Sequence, residues 1–234
     1  MSEFYFTKNN IDALLLQLGK EFKRIGGRKV HAEVTIIGGA AIVSKYGFRP
    51  STTDIDALIN APTSMKDAIN NVGDNNNLPN GWINPDFMKT CSYTEKIREY
   101  SVYYKTFCNV LEVRMLPPAY DVAMKLQSFR SYKYDISDII GIIKTGNVKR
   151  DEIEEAVGNL YGGFDNLVRS KDAVNLLDSI YSTDDLDELY RSTRGNESEN
   201  RIVLKELSDN EPDIFKKYGV DAILEMAKRK NKKI

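Results

Sequence analysis

The chain has 234 residues, with 33 basic and 34 acidic side chains and a net charge of −1. That length can bury a substantial core and fits one large domain or two small ones. The charge balance excludes a global positive field drawing the molecule to nucleic acid, so any such site must be a local patch. No apolar run is long enough to span a bilayer, and the opening Met1-Ser-Glu-Phe-Tyr-Phe6 lacks the charged-then-apolar layout of a signal peptide. A cytoplasmic protein with no membrane partner is expected. Cys91 and Cys108 are too few for a disulfide framework or a cysteine-based zinc site, and the single histidine, His31, precedes a core strand. Enzymatic chemistry, if present, therefore falls to carboxylates and metal.

In chain order, Asn9-Asn10 precede Ile11, Leu14, Leu15 and Leu18, the spacing of an amphipathic helix with an Asn at its start, ending near Gly26-Gly27. An apolar strand follows over 30–37, then a short helix over 40–45 closed by Gly47, then a second strand over about 54–59. Pro62 and Ser64 open a helix to about Val72. The turn-rich residues 73–81 predict an exposed loop near the rim of a site. Residues 101–107 and 109–116, rich in β-branched and aromatic side chains, predict paired strands stopped by Pro117-Pro118.

Beyond Pro118 the pattern is helical. One apolar stripe runs through Ala119, Val122, Ala123, Leu126 and Phe129, and a second through Ile136, Ile139, Ile140 and Ile143, with Gly146 as C-cap. Later stripes fall at Ile153, Ala156, Val157 and Leu160, and at Val174, Leu177 and Ile180, while the polar residues 192–200 predict a loop. The basic end, 228–234, could grip phosphates or be a solvated helix terminus. The expected fold class is α/β (α+β): a small mixed-sheet core over 1–116 and a mostly helical region over 117–234, of which 117–145 completes the site and the rest is an extension.

Asp54-Ile55-Asp56 carries the most chemical information. A strand alternates its side chains, so the two carboxylates share one face and can hold Mg²⁺, a cation that takes hard oxygen ligands. Gly38-Gly39 lie between the first strand and the short helix, where backbone N–H groups and a helix N-terminus face an anion. The competing structural reading is a polar strand edge and an ordinary turn. Thr53 directly before the pair and Arg49 in the connecting loop favour the functional one.

An apolar strand ending in Gly-Gly, a short helix and Asp-x-Asp on the next strand resemble the nucleotidyltransferase superfamily, whose fold is that of DNA polymerase beta. Within it the chain is most similar to the bacterial AbiEii-like proteins, many of them toxins of toxin–antitoxin or phage-defence pairs. The resemblance covers roughly residues 30 to 145. It implies metal (Mg²⁺ or Mn²⁺) on Asp54 and Asp56, and an NTP held by Gly38, Gly39, Thr53, Arg49, Lys125, Arg130 and Lys133. The order Lys125, Arg130, Lys133, Asp135 matches a helix bearing Lys-Leu and then Arg, followed by a basic residue and an Asp opening the next helix. Lys125 and Asp135 thereby join Asp54 and Asp56 as catalytic candidates. Asp135 also reads as an N-cap, with Asp138 in the first turn, and Lys125 as a surface lysine. Relatives that place a third carboxylate on a later strand point instead to Glu112, which shares a face with Arg114 and could simply pair with it. Gly39 departs from the Ser common at this position in AbiEii-like toxins.

The implied activity is transfer of NMP from an NTP to a tRNA 3′ end, another RNA or a protein side chain, with a cognate antitoxin as partner. The alternative is a non-catalytic nucleotide-binding or partner protein on the same fold, favoured if only Asp54 and Asp56 meet in the cleft. An acidic-pair phosphohydrolase ranks third, because no water-positioning group is identifiable.

Overall fold

The structure is a computed structural model and describes residues 4–231. The first helix, α1 (Lys8–Gly26), is capped by Thr7 rather than by an asparagine. The Thr7 hydroxyl accepts from the Asn10 amide while the Asn10 side chain accepts from Thr7 N–H at 2.7 Å, a reciprocal capping box. The expected stripe of Ile11, Leu14, Leu15 and Leu18 is buried.

Next come β1 (Ala32–Ile36), α2 (Gly38–Lys45), β2 (Ile55–Asn60), α3 (Ser64–Asn75), the short β3 (Ile83–Asn84), α4 (Lys96–Tyr100) and the hairpin β4 (Val102–Phe107) with β5 (Leu111–Met115). The five strands form one mixed sheet in the order β3-β2-β1-β5-β4. β1 is antiparallel to β2 and parallel to β5. Cys108 and Asn109, both at positive φ, make the tight hairpin turn.

The helical region follows as α5 (Pro118–Ser128), α6 (Asp135–Gly146), α7 (Arg150–Tyr161), α8 (Ser170–Ser182), α9 (Leu186–Asn210), α10 (Ile214–Lys217) and α11 (Val220–Asn231). The fold is mixed α/β with a helical C-terminal part. One apolar cluster joins α1, α3 and the sheet through Phe22, Val34, Ile36, Ile55 and Val113. A second joins α5–α8 through Leu126, Ile139, Val157 and Leu177, reaching the sheet at Ile37, Leu58 and Leu116. The site lies where Ile37 passes between them.

Several expectations are corrected. Residues 73–75 continue α3, because Gly73 lets the Trp82 ring approach, with an added Cβ only 3.2 Å from it. The turn that follows buries Leu78 and Trp82, and none of 73–81 lines the cleft described below. Helix α2 is capped at Tyr46, and α6 ends with Asn147 in the left-handed region one residue after Gly146. The expected loop at 192–200 is the middle of the 25-residue α9, whose polar side chains Glu197 and Asn200 are buried against other elements. The basic terminus ends α11, and its last residues, 232–234, lie outside the described residues.

Candidate functional site

The acidic side of the site follows from strand pairing. Ile37 N–H donates to the Asp56 carbonyl at 3.0 Å, extending the β1–β2 register that pairs Ile36 with Ala57, so the end of β1 lies beside the start of β2. There the chain turns at Gly38, which has φ +61° and would bring a Cβ to 3.6 Å from Asp56 Oδ2. Ile55 is fully buried in the core. The period of two sends Asp54 and Asp56, on either side of it, into a cleft of about 210 Å³ together with Gly38.

Burial, and next the charge of Asp54, push the Asp56 carboxyl up to about 6, against the pull of Lys125 and Arg130. Among the described residues neither aspartate forms an ion pair or a side-chain hydrogen bond. Two hard oxygen donors whose repulsion has no direct partner suit Mg²⁺ or Mn²⁺, which would be held by Asp54 and Asp56. Among the described residues no group of three or more His, Cys, Asp or Glu side chains converges to hold a metal.

The opposite wall is built on α5 and α6. Lys125, on α5, is buried, and its ammonium donates to Asp135 Oδ1 at 2.7 Å and lies 3.0 Å from Asp138 Oδ2. Burial alone would push this ammonium down, but Asp135 and Asp138 hold it above its ordinary value. Helix α5 ends at Phe129 in the left-handed region, and the turn folds back so that Arg130 meets Asp135 through its backbone N–H at 3.1 Å and Nε at 2.8 Å. Burial would raise the Asp135 carboxyl, yet Lys125 and Arg130 hold it below the usual range. Arg49, from the α2–β2 loop, donates to Asp138 Oδ2 at 2.6 Å.

Asp135 and Asp138 are both wholly buried. Asp135 is thus not the N-cap of α6: the helix N-terminus is capped from a distance by Glu197 of α9, which accepts from Ile136 N–H at 2.9 Å and Ser137 N–H at 3.3 Å. Nor does Asp135 line the cleft, where it would have to act as a catalytic acid. Its position supports a role in fixing Lys125 and Arg130.

Glu112 is not brought to the site. In register it pairs with Glu33, toward the start of β1 and away from Gly38, and its carboxylate receives Arg114 Nη1 at 2.8 Å. Thr53, Gly39, Arg49, Lys125, Arg130 and Lys133 do come together, lining a cavity of about 390 Å³ that shares Asp54 and Asp56 with the acidic cleft. The glycine at 39 has a local cause. A Cβ there would stand 2.5 Å from the Thr52 hydroxyl, so Thr52 fills the space a serine side chain would need.

Sequence reasoning missed Asp86, in the 3₁₀ turn after β3, which lines the acidic cleft and adds to the repulsion at Asp56. It also missed Arg194 and Arg201 of α9, which line the basic cavity. No local motif marks them, because packing from far along the chain delivers them.

A family model described as "Nucleotidyltransferase of unknown function (DUF6036)" matches residues 13–162. The chain belongs to this nucleotidyltransferase family. No curated protein and no solved structure matches it. The matched segment of this nucleotidyltransferase family member runs from α1 through α7 and contains the glycine turn, both clustered aspartates, Lys125 and Arg130. Arg194 and Arg201 lie outside it. Among the described residues no helix is long and apolar enough to cross a membrane.

Proposed function

We propose that this chain transfers NMP from an NTP to an acceptor hydroxyl, with Mg²⁺ or Mn²⁺ held by Asp54 and Asp56. The observation that carries this reading is the juxtaposition of two carboxylates lacking direct partners with a wall of fixed cations across one cleft. Nucleotidyl transfer asks the protein mainly for position and charge neutralisation, which this arrangement supplies. A divalent ion, when bound, polarises the phosphoryl oxygens and neutralises developing charge.

Gly38 and Gly39 offer backbone N–H groups at the start of α2 to the phosphates. Lys125 and Arg130, locked by Asp135, present their positive charge without reorganising. The acceptor oxygen bonds to the α-phosphorus as the α–β bridging bond breaks, pyrophosphate leaves, and the hydroxyl proton passes to solvent. The resemblance to AbiEii-like proteins supports a tRNA 3′ end, another RNA or a protein side chain as acceptor, and a toxin or phage-defence setting with a cognate antitoxin.

One observation favours a second reading, a nucleotide-binding protein without turnover: Asp86 lines the same cleft, yet among the described residues no third carboxylate groups with Asp54 and Asp56 to hold a metal. Incubating the protein with divalent metal, each α-labelled NTP in turn and total tRNA separates the two. Label moved to RNA or protein by the wild type but not by Asp56→Ala supports transfer and names nucleotide and acceptor. NTP binding with no label moved in any lane favours the second reading.

A further inference from the structure

Helix α9 reaches the cleft with one face. Arg194, Glu197 and Arg201 are spaced three and four apart and so share a side of the helix. Glu197 caps α6, Asn200 donates to the Ser131 carbonyl at 2.9 Å, and the guanidinium carbons of Arg194 and Arg201 lie 3.4 and 4.7 Å from the centroid of the Tyr134 ring. Tyr134 itself sits at φ +64°, a conformation uncommon for a bulky residue and held here by these contacts. The helix is thus clamped onto the turn between α5 and α6, and its arginines are fixed at the outer end of the 390 Å³ cavity.

At the inner end, Arg49, Lys125 and Arg130 are matched by Asp135 and Asp138. The outer end differs. Arg194 comes no nearer than 4.0 Å to a carboxylate, and among the described residues Arg201 and Lys133 have no carboxylate partner. Clustered cations, one weakly paired and two without a carboxylate partner among the described residues, in a confined cavity that ends at two aspartates, suit a compact polyanion. A nucleic-acid backbone would call for an extended track of cations, whereas these are confined to one cavity.

We propose that Arg201, Lys133 and Arg194 form an oligophosphate site, which in the transfer reading holds the β- and γ-phosphates of the NTP. The α9 arm then makes the site selective for triphosphates over monophosphates, and the proposal rests on the transfer reading for the identity of its ligand.

The test is a binding titration of the full chain with inorganic tripolyphosphate, ATP, AMP and a short single-stranded RNA, using wild type, Arg201→Ala and Arg201→Lys, with thermal melts to establish that the exposed substitution leaves the fold intact. Arg201→Ala should weaken tripolyphosphate and ATP by roughly tenfold, as expected for one charge-assisted contact. AMP should change less than about twofold, and Arg201→Lys should recover part of the loss. Unchanged ATP and tripolyphosphate affinity, equal weakening of AMP and ATP, or loss confined to RNA would each overturn the proposal and leave the transfer reading standing. Tripolyphosphate binding that depends on Arg201 in a protein that binds no ATP would retain the oligophosphate site and overturn the transfer reading, so the two fail separately.

Discussion

The two walls of the cleft handle charge in opposite ways. On the acidic wall, Asp54 and Asp56 face solvent and each other without a direct cation, and Asp56 is pushed up to about 6. On the basic wall, Lys125, Arg130 and Arg49 are gripped by Asp135 and Asp138 at 2.6–3.0 Å. One wall stores repulsion that a bound cation would relieve, and the other is ion-paired, net positive and rigid. A site that must recruit a metal and position phosphates needs both, because a recruited charge requires a vacancy while a positioning charge requires a fixed geometry.

Breaking the acidic wall should have the largest effect. Asp54→Ala or Asp56→Ala removes one of the two carboxylates proposed to hold the metal and should lower transfer by at least about a hundredfold, the loss expected when metal stabilisation worth several kcal/mol is removed. Melting temperature should not fall. A labelled-NTP transfer assay beside a thermal melt measures both.

Breaking the basic wall should instead damage the fold. Asp138→Ala leaves Lys125 and Arg49 facing one another with a single remaining carboxylate, Asp135, and should cost about 3–5 kcal/mol in urea unfolding, as does removal of one partner from a buried ion network.

The pH dependence sharpens the contrast. Asp56 has a folded-state value of about 6, above its ordinary 3.8, so between those values the folded state binds its proton more tightly than the unfolded chain does. Its ionisation therefore costs stability, a cost absent below about pH 4 and complete once pH rises through about 6. Asp56→Asn should stabilise the fold by about 2 kcal/mol at pH 7.5 and by almost nothing at pH 4, read from denaturation at both pH values. Asp135 carries the opposite sign: its value is lowered, so its contribution is present at neutral pH and lost on acidification.

The smallest effect should come from Glu112, outside both walls. Glu112→Gln breaks only a half-exposed pair with Arg114 and should change stability by less than about 1 kcal/mol, with transfer unaltered. Loss of transfer in this variant would return the third carboxylate to β5.

The acidic wall was legible because its parts are local: a turn glycine, a period-two pair of aspartates and an apolar residue between them. The strands carrying them were recognisable from their own alternation. The basic wall was legible only in its first layer, since Lys125 at the end of α5, Arg130 in the turn and Asp135 at the start of α6 are close in sequence. What Asp135 does there was not. Its N-cap role depended on no other residue taking the α6 N-terminus, and Glu197, 61 residues beyond Ile136, takes it. For the same reason residues 192–200 read as a loop: a run of Ser, Arg, Gly, Asn and Glu has no apolar stripe, and α9 is held there by buried hydrogen bonds and ring contacts instead. Asp86 sits on a 3₁₀ turn without periodicity, held by the burial of its neighbour Phe87 in the helical cluster and by its own N–H donating to Asn84 Oδ1 at 2.8 Å.

The most direct measurement is NTP affinity with and without Mg²⁺ for wild type and the Asp54→Ala, Asp56→Ala double variant. Mg²⁺ should tighten NTP binding by at least about tenfold in the wild type. In the double variant NTP should still bind through the basic wall, with Mg²⁺ making no difference. Wild-type binding that ignores Mg²⁺, or a double variant that keeps the Mg²⁺ effect, would contradict the assignment of Asp54 and Asp56 as the metal-holding wall.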